Sequence, residues 1–164
     1  MDAGVARVIA HRAHAGQLDR FGEHVIEHVK RVAQAVPDDA RPTAYLHDVL
    51  EVPDAGPEVL LGHGLTHTEF LVLELLTRRP SEPYRSYVKR ISYATGEAGR
   101  LARIIKLADL DDHLRHLHMP ACAPNYAWAK KEITAAQSRN GEPASASGTE
   151  DDGAAPTGLP VGAG

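Results

Sequence analysis

The chain holds one cysteine among its 164 residues, Cys122, so no internal disulfide can form and a disulfide-stapled framework is excluded. Basic excess is missing as well. The formal net charge is −4 and the pI is near 6.2, which argues against nonspecific attraction to nucleic acid or anionic lipid. No basic stripe suggests DNA or RNA recognition. No charge-free apolar run is long enough to span a bilayer, and the opening Met-Asp-Ala-Gly lacks a secretory pattern. The expectation is a protein of the reducing cytoplasm, with neither membrane nor nucleic acid as partner. Period-2 hydrophobicity of convincing length is absent, as is any internal repeat.

What remains is helical. Residues 138–164 contain no aromatic side chain and few branched aliphatics, so they cannot bury enough apolar surface to offset chain entropy and are expected to form a disordered tail. Residues 1–137 suffice for one domain with one core. Val5, Val8 and Ile9 recur at helical spacing and predict a first helix ending near Gly16. Val25, Ile26, Val29, Val32, Ala33 and Val36 predict a second, stopped by Pro37, with His24 and His28 at i and i+4. A third, capped by Asp38 or Asp39 and tolerating Pro42 in its first turn, carries residues 44–51 and stops at Pro53. A short helical turn at residues 58–61 follows. Thr66-His67-Thr68-Glu69 reads as a capping box. Pro83 opens a helix to Tyr93, a long and mostly buried helix follows Gly96, and residues 126–136 make the last. The fold class is therefore all-α, a bundle of about six to eight helices, a count argued from hydrophobic periodicity.

Ten histidines are many for this length and hint at metal chemistry, although ordinary surface roles would account for most. The segment Ala44-Tyr45-Leu46-His47-Asp48-Val49-Leu50-Glu51 stands out, because three polar groups interrupt an apolar helix. At i and i+4, His47 and Glu51 would share a face, with Asp48 rotated by about 100°. His28 on the second helix and Asp109 on the long helix offer partners. A metal site in a helical bundle is built by side chains pointing inward from several helices, and two imidazoles with two carboxylates suit Mn²⁺, Fe²⁺ or Zn²⁺ better than Ca²⁺. Asp109 lies in an otherwise buried pattern, so it needs a cation or hydrogen-bond partners. A salt bridge to Lys or Arg on a neighbouring helix would also serve.

These residues resemble a known arrangement. His28, His47-Asp48 and Asp109 are similar to the H…HD…D set of the HD-domain metal-dependent phosphohydrolases, and most closely to the hydrolase domain of RelA/SpoT-type alarmone enzymes, including small stand-alone versions. His14-Ala15-Gly16-Gln17 resembles that family's HxGQ opening, and Gly22 to His28 with Val32-Ala33 resembles its GxPYIxHPxxVA stretch. Leu46-His47-Asp48-Val49-Leu50-Glu51 resembles LHDVVED, and Ile105-Lys106-Leu107-Ala108-Asp109 resembles VKLAD. The segments keep the family's order and cover roughly residues 5 to 135. The resemblance implies an HD-domain helical bundle over residues 1–137, one Mn²⁺ held by His28, His47, Asp48 and Asp109, and hydrolysis of the 3′-pyrophosphate of (p)ppGpp to GDP or GTP and pyrophosphate. Glu51 would orient or deprotonate the attacking water beside Asp48.

The departures fall mostly on the substrate side. Glu51-Val52 stands where the family has Glu-Asp, His113 where it has Asn, Asp19-Arg20 where it has a basic pair, and His24-Val25 where it has Pro-Tyr. Arg20 is read as a phosphate contact, with a solvated loop arginine as the alternative. His113, one turn after Asp109, is read as a substrate contact, while His116 and His118 are placed on the surface. His24 is read as a half-exposed helix histidine rather than an extra ligand. Tyr84 and Tyr87 are assigned to packing. Tyr126 and Trp128 are either pocket walls or core, and Arg78 and Arg79 are helix-end residues. The expected partner is a small nucleotide.

Overall fold

The computed structural model describes residues 1–19, 21–52, 56–116 and 120–142, Pro120 by its backbone alone. Among these residues are eight α-helices and no strand: α1 (Ala3–Ala13), α2 (Val25–Gln34), α3 (Arg41–Tyr45), α4 (Pro57–Gly62), α5 (His67–Leu76), α6 (Tyr84–Tyr93), α7 (Gly96–Arg115) and α8 (Ala123–Arg139). Short 3₁₀ turns cover Val49–Glu51 and Pro120–Cys122. The all-α bundle expected from the periodicity is what forms.

The central helix is α7. It buries Leu101, Ala102, Ile104, Ile105, Leu107 and Leu110 and packs against α2, α5, α6 and α8. Facing it are Val29, Val32 and Ala33 of α2, Val72, Leu73 and Leu76 of α5, and Val88 and Ile91 of α6. Each such aliphatic side chain contributes about 1.5–3 kcal/mol when removed from water. The capping box forms as expected: the Thr66 hydroxyl accepts from the Glu69 N–H, and the Glu69 carboxylate accepts from the Thr66 N–H at 2.7 Å. At the α6–α7 corner, a Cβ on Gly99 would collide with the Ala94 carbonyl oxygen, so the close approach needs glycine there.

Three expectations change. In α1 the buried face is Ala6 and Ala10, packed against α3, while Val5 and Val8 are 40% and 47% exposed. Small side chains let the two backbones approach closely, which the larger valines would prevent. The third helix is shorter than residues 44–51 suggested. It is preceded by Ala40 rather than an acidic cap, because Asp38 pairs with Arg41 and Asp39 with Arg100 of α7. It ends at Tyr45, and the chain continues through i→i−3 bonds from Leu46 to Thr43 and from Val49 to Leu46. Finally, α8 runs on through Ser138 and Arg139, and Glu142 pairs with buried Arg103. These polar residues find partners in the fold: Ser138 donates to the Thr134 carbonyl, Arg139 lies over the Tyr93 ring, and Glu142 meets Arg103 of α7. Residues 143–164 lie outside the described residues, as does Pro53.

Candidate metal centre

The loop between α1 and α2 is held by Asp19. Its carboxylate accepts from the N–H groups of Phe21 and Glu23 at 2.8 and 2.9 Å, Gly22 turns with φ +86°, and an isolated antiparallel bridge joins Leu18 to His24. This seats His24 at the N-terminal boundary of α2, exposed and outside the helix, so it is not one helical turn from His28 in the way the spacing suggested. His28 then projects from the first turns of α2 toward α7.

The turn between α3 and the 3₁₀ segment presents the next pair, His47 and Asp48. His47 is buried, and its Nδ1 lies 2.9 Å from the Ala44 carbonyl oxygen. A carbonyl only accepts, so Nδ1 carries a proton, and in the neutral ring Nε2 keeps a lone pair. That Nε2 has no hydrogen-bond partner among the described residues, and the Asp48 Oδ2 stands 3.3 Å away. Two acceptors facing one another in a buried site are unfavourable until something positive lies between them. Glu51 follows in the 3₁₀ turn rather than one α-helical turn from His47. It still lines the same cavity as His47, Asp48 and Asp109. Partial burial, then the charge of Asp48, push its carboxyl above the ordinary value.

From α7 come four residues one turn or less apart. Asp109 is buried; its Oδ2 accepts from the Lys106 ammonium at 2.5 Å, and its Oδ1 lies 3.3 Å from His28 Nε2 and 3.1 Å from His113 Nε2. Burial works against its charge, but Lys106 and the two imidazoles hold Asp109 well below the usual carboxylate range. Asp112 accepts from His28 Nδ1 at 2.8 Å and from Arg31 through two nitrogens, at 2.6 and 3.0 Å. Arg31 in turn donates to Glu23 at 2.6 Å. Burial disfavours a charged His28, yet its hydrogen bonds to Asp109 and Asp112 raise it to about 10.

The predicted His28, His47, Asp48 and Asp109 are thus brought together. The ligand atoms of His28, His47 and Asp48 all lie within 4.8 Å of one another, and so do those of His28, Asp109 and His113. These His/Asp groups can hold a metal ion. The orphaned His47 Nε2 opposite Asp48 is the observation that fits one, and imidazole with carboxylate is a donor set for first-row divalent ions.

Two clefts meet at this cluster. One, open to solvent, is lined by the α1–α2 loop, His28, Asp48, Asp112, His113, His116 and Tyr126. The other is lined by His47, Glu51, Arg78, Tyr84, Lys106 and Asp109, sharing Asp48, His113 and Tyr126 with the first. The rings of Tyr126, His113 and His28 stack in sequence, with centroids 5.3 and 4.7 Å apart. Tyr126 is therefore a wall of the site, while Trp128 lies away from it beneath Arg85. Tyr87 is buried as expected and donates to the Leu76 carbonyl at 2.5 Å. Tyr84 does more than pack: its buried hydroxyl borders the second cleft and makes no hydrogen bond among the described residues, and burial pushes it up to about 12. Arg20 and His118 lie outside the described residues.

Sequence reasoning missed Asp112, Arg31, Glu23 and Lys106 as participants. Only Lys106 had a local signal, three residues before Asp109. The chain matches no known protein-family model, and no curated protein matches it.

Proposed function

We propose that the chain is a divalent-metal-dependent phosphohydrolase of the HD type acting on a nucleotide, with the 3′-pyrophosphate of (p)ppGpp as the first candidate substrate. The observation that carries this reading is that two groups of candidate ligands, His28–His47–Asp48 and His28–Asp109–His113, share His28 beside a His47 Nε2 that makes no hydrogen bond among the described residues. These residues would hold Mn²⁺ in the first instance, and Fe²⁺ or Zn²⁺ with the same donors. Such an ion supplies Lewis acidity and positive charge opposite phosphoryl oxygens.

The chain's own groups provide the rest. Asp19, Glu23, Asp48 and Asp112 border the first cleft, with Arg31 already paired to Glu23 and Asp112, so an anionic substrate would need a further cation there. Glu51, with its carboxyl raised, is suited to accept a proton from an attacking water at the edge of the second cleft. Asp48 takes part as a ligand and as the charge that tunes Glu51. Lys106 fixes Asp109, and the Arg31–Asp112 pair fixes the tautomer and direction of the His28 ring.

Incubating purified protein with Mn²⁺ and ppGpp is expected to release pyrophosphate, measured by a coupled assay. No release at high enzyme concentration removes that substrate. A second reading keeps the chemistry and changes the substrate to another nucleotide or a phosphate ester. It is favoured by Val52 in place of a second acid and by an Asp19 carboxylate already engaged with its own loop. A panel of phosphorylated compounds separates the two. Turnover seen only after Val52→Asp would instead mark the natural chain as a metal- or nucleotide-binding module without catalysis. Turnover of any panel compound by the natural chain rules that out.

A further inference from the structure

The two ligand triplets overlap in His28 alone. That overlap limits the number of ions. The Nδ1 of His28 is taken up by Asp112 at 2.8 Å, so a single nitrogen, Nε2, faces the cluster. Bridging two ions requires a ligand with two available lone-pair directions, such as a carboxylate. An imidazole with one nitrogen already hydrogen-bonded has one. His28 can therefore ligate only one ion, and the groups gathered at its Nε2, Asp109 at 3.3 Å among them, are candidate donors to that ion.

His113 is among them. Its Nε2 lies 3.1 Å from Asp109 Oδ1, the same oxygen that His28 Nε2 approaches at 3.3 Å. Its ring is stacked nearly parallel to that of His28, 14° off at 4.7 Å between centroids, and both present Nε2 to the same Asp109 oxygen. Tyr126 backs the other face of the ring at 5.3 Å and restricts its swing.

We infer that His113 is a third imidazole ligand of the ion, making a centre of His28, His47, His113, Asp48 and Asp109. This deepens the metal reading above and rests on it. Three imidazoles would bias the site toward ions that favour nitrogen donors, such as Zn²⁺ and Fe²⁺, more than a two-histidine cage does.

The test is X-ray absorption fine structure on the Zn²⁺-loaded full chain, with elemental analysis for stoichiometry, repeated on His113→Ala and His113→Asn. The expected result is one ion per chain with three imidazoles in the natural protein. Each variant should keep one ion, show two imidazoles, and bind Zn²⁺ at least about tenfold more weakly, taking the effect of losing a supporting residue as the floor. Two imidazoles in the natural protein, or an unchanged count in the variants, overturns the assignment and leaves the phosphohydrolase reading standing. Two ions per chain overturns the mononuclear argument. A natural chain that binds no ion overturns both readings, and that outcome is seen before any variant is made. Because the natural protein's count decides by itself, misfolding of a variant does not shield the proposal.

Discussion

At the scale of single residues, the candidate centre depends on groups beyond the predicted ligands. Asp112 is not among the predicted ligands, yet it accepts from His28 Nδ1 and receives Arg31 through two nitrogens. Asp112→Asn should lower Mn²⁺ or Zn²⁺ affinity about 10- to 100-fold, read by calorimetric titration, while far-UV circular dichroism stays unchanged. Glu51→Gln should behave in the opposite way. Metal content should be kept, and kcat on whichever phosphorylated substrate turns over should fall about 10²- to 10⁴-fold, as for loss of a general base. An Asp112 variant that binds metal normally would show that the tautomer is set elsewhere. Equal kcat in Glu51→Gln would remove Glu51 from the chemistry.

Elements are held by their ends as much as by their faces. Arg90 of α6 donates to the carbonyls of Glu74, Leu75 and Thr77, closing the C-terminus of α5, and its guanidinium is gripped by Glu82 at 2.8 and 2.9 Å. The hydrogen bond from Arg90 lowers Glu82 from 4.5 to about 2. A depressed carboxylate contributes its stability in full above the unfolded value and loses it as pH falls through the folded one. The pair should therefore stabilise the protein at pH 6 and fade between about 4.5 and about 2. Urea unfolding of Glu82→Gln should show a deficit of about 1–2 kcal/mol at pH 6 that narrows toward pH 3. Signals of this local kind were legible in the sequence. The capping box at Thr66, the Pro83 start and the end of α2 before Pro37 all depend on neighbours a few residues away. The breakdown of α3 was not, because Leu46 and Val49 are buried and the His47 ring bonds back to Ala44, both consequences of packing. The same reason hid the valines of α1. It also hid Asp112, whose partners Arg31 and His28 lie 81 and 84 residues away, whereas the four predicted ligands sat in recognisable segments.

For the molecule as a whole, α7 fastens both the core and the chain beyond α8. Arg103, 1% exposed, donates to the carbonyls of Ile91 and Ala94 and pairs with Glu142. Shortening the chain to end at Gln137 would leave that guanidinium buried without its carboxylate, at a cost of about 3 kcal/mol. Thermal melting should fall by roughly 10 °C, whereas a chain ending just after Glu142 keeps the pair and sets the reference. The same helix supplies Lys106, Asp109, Asp112 and His113 to the centre. Their alignment is that of a single screw thread. One extra residue inserted after Arg100 would turn all four by about 100° at once, carrying ligand, anchoring carboxylate and ammonium away from α2 and the His47 turn together. Loop insertions elsewhere can be absorbed piecemeal, but phase errors in this rod cannot.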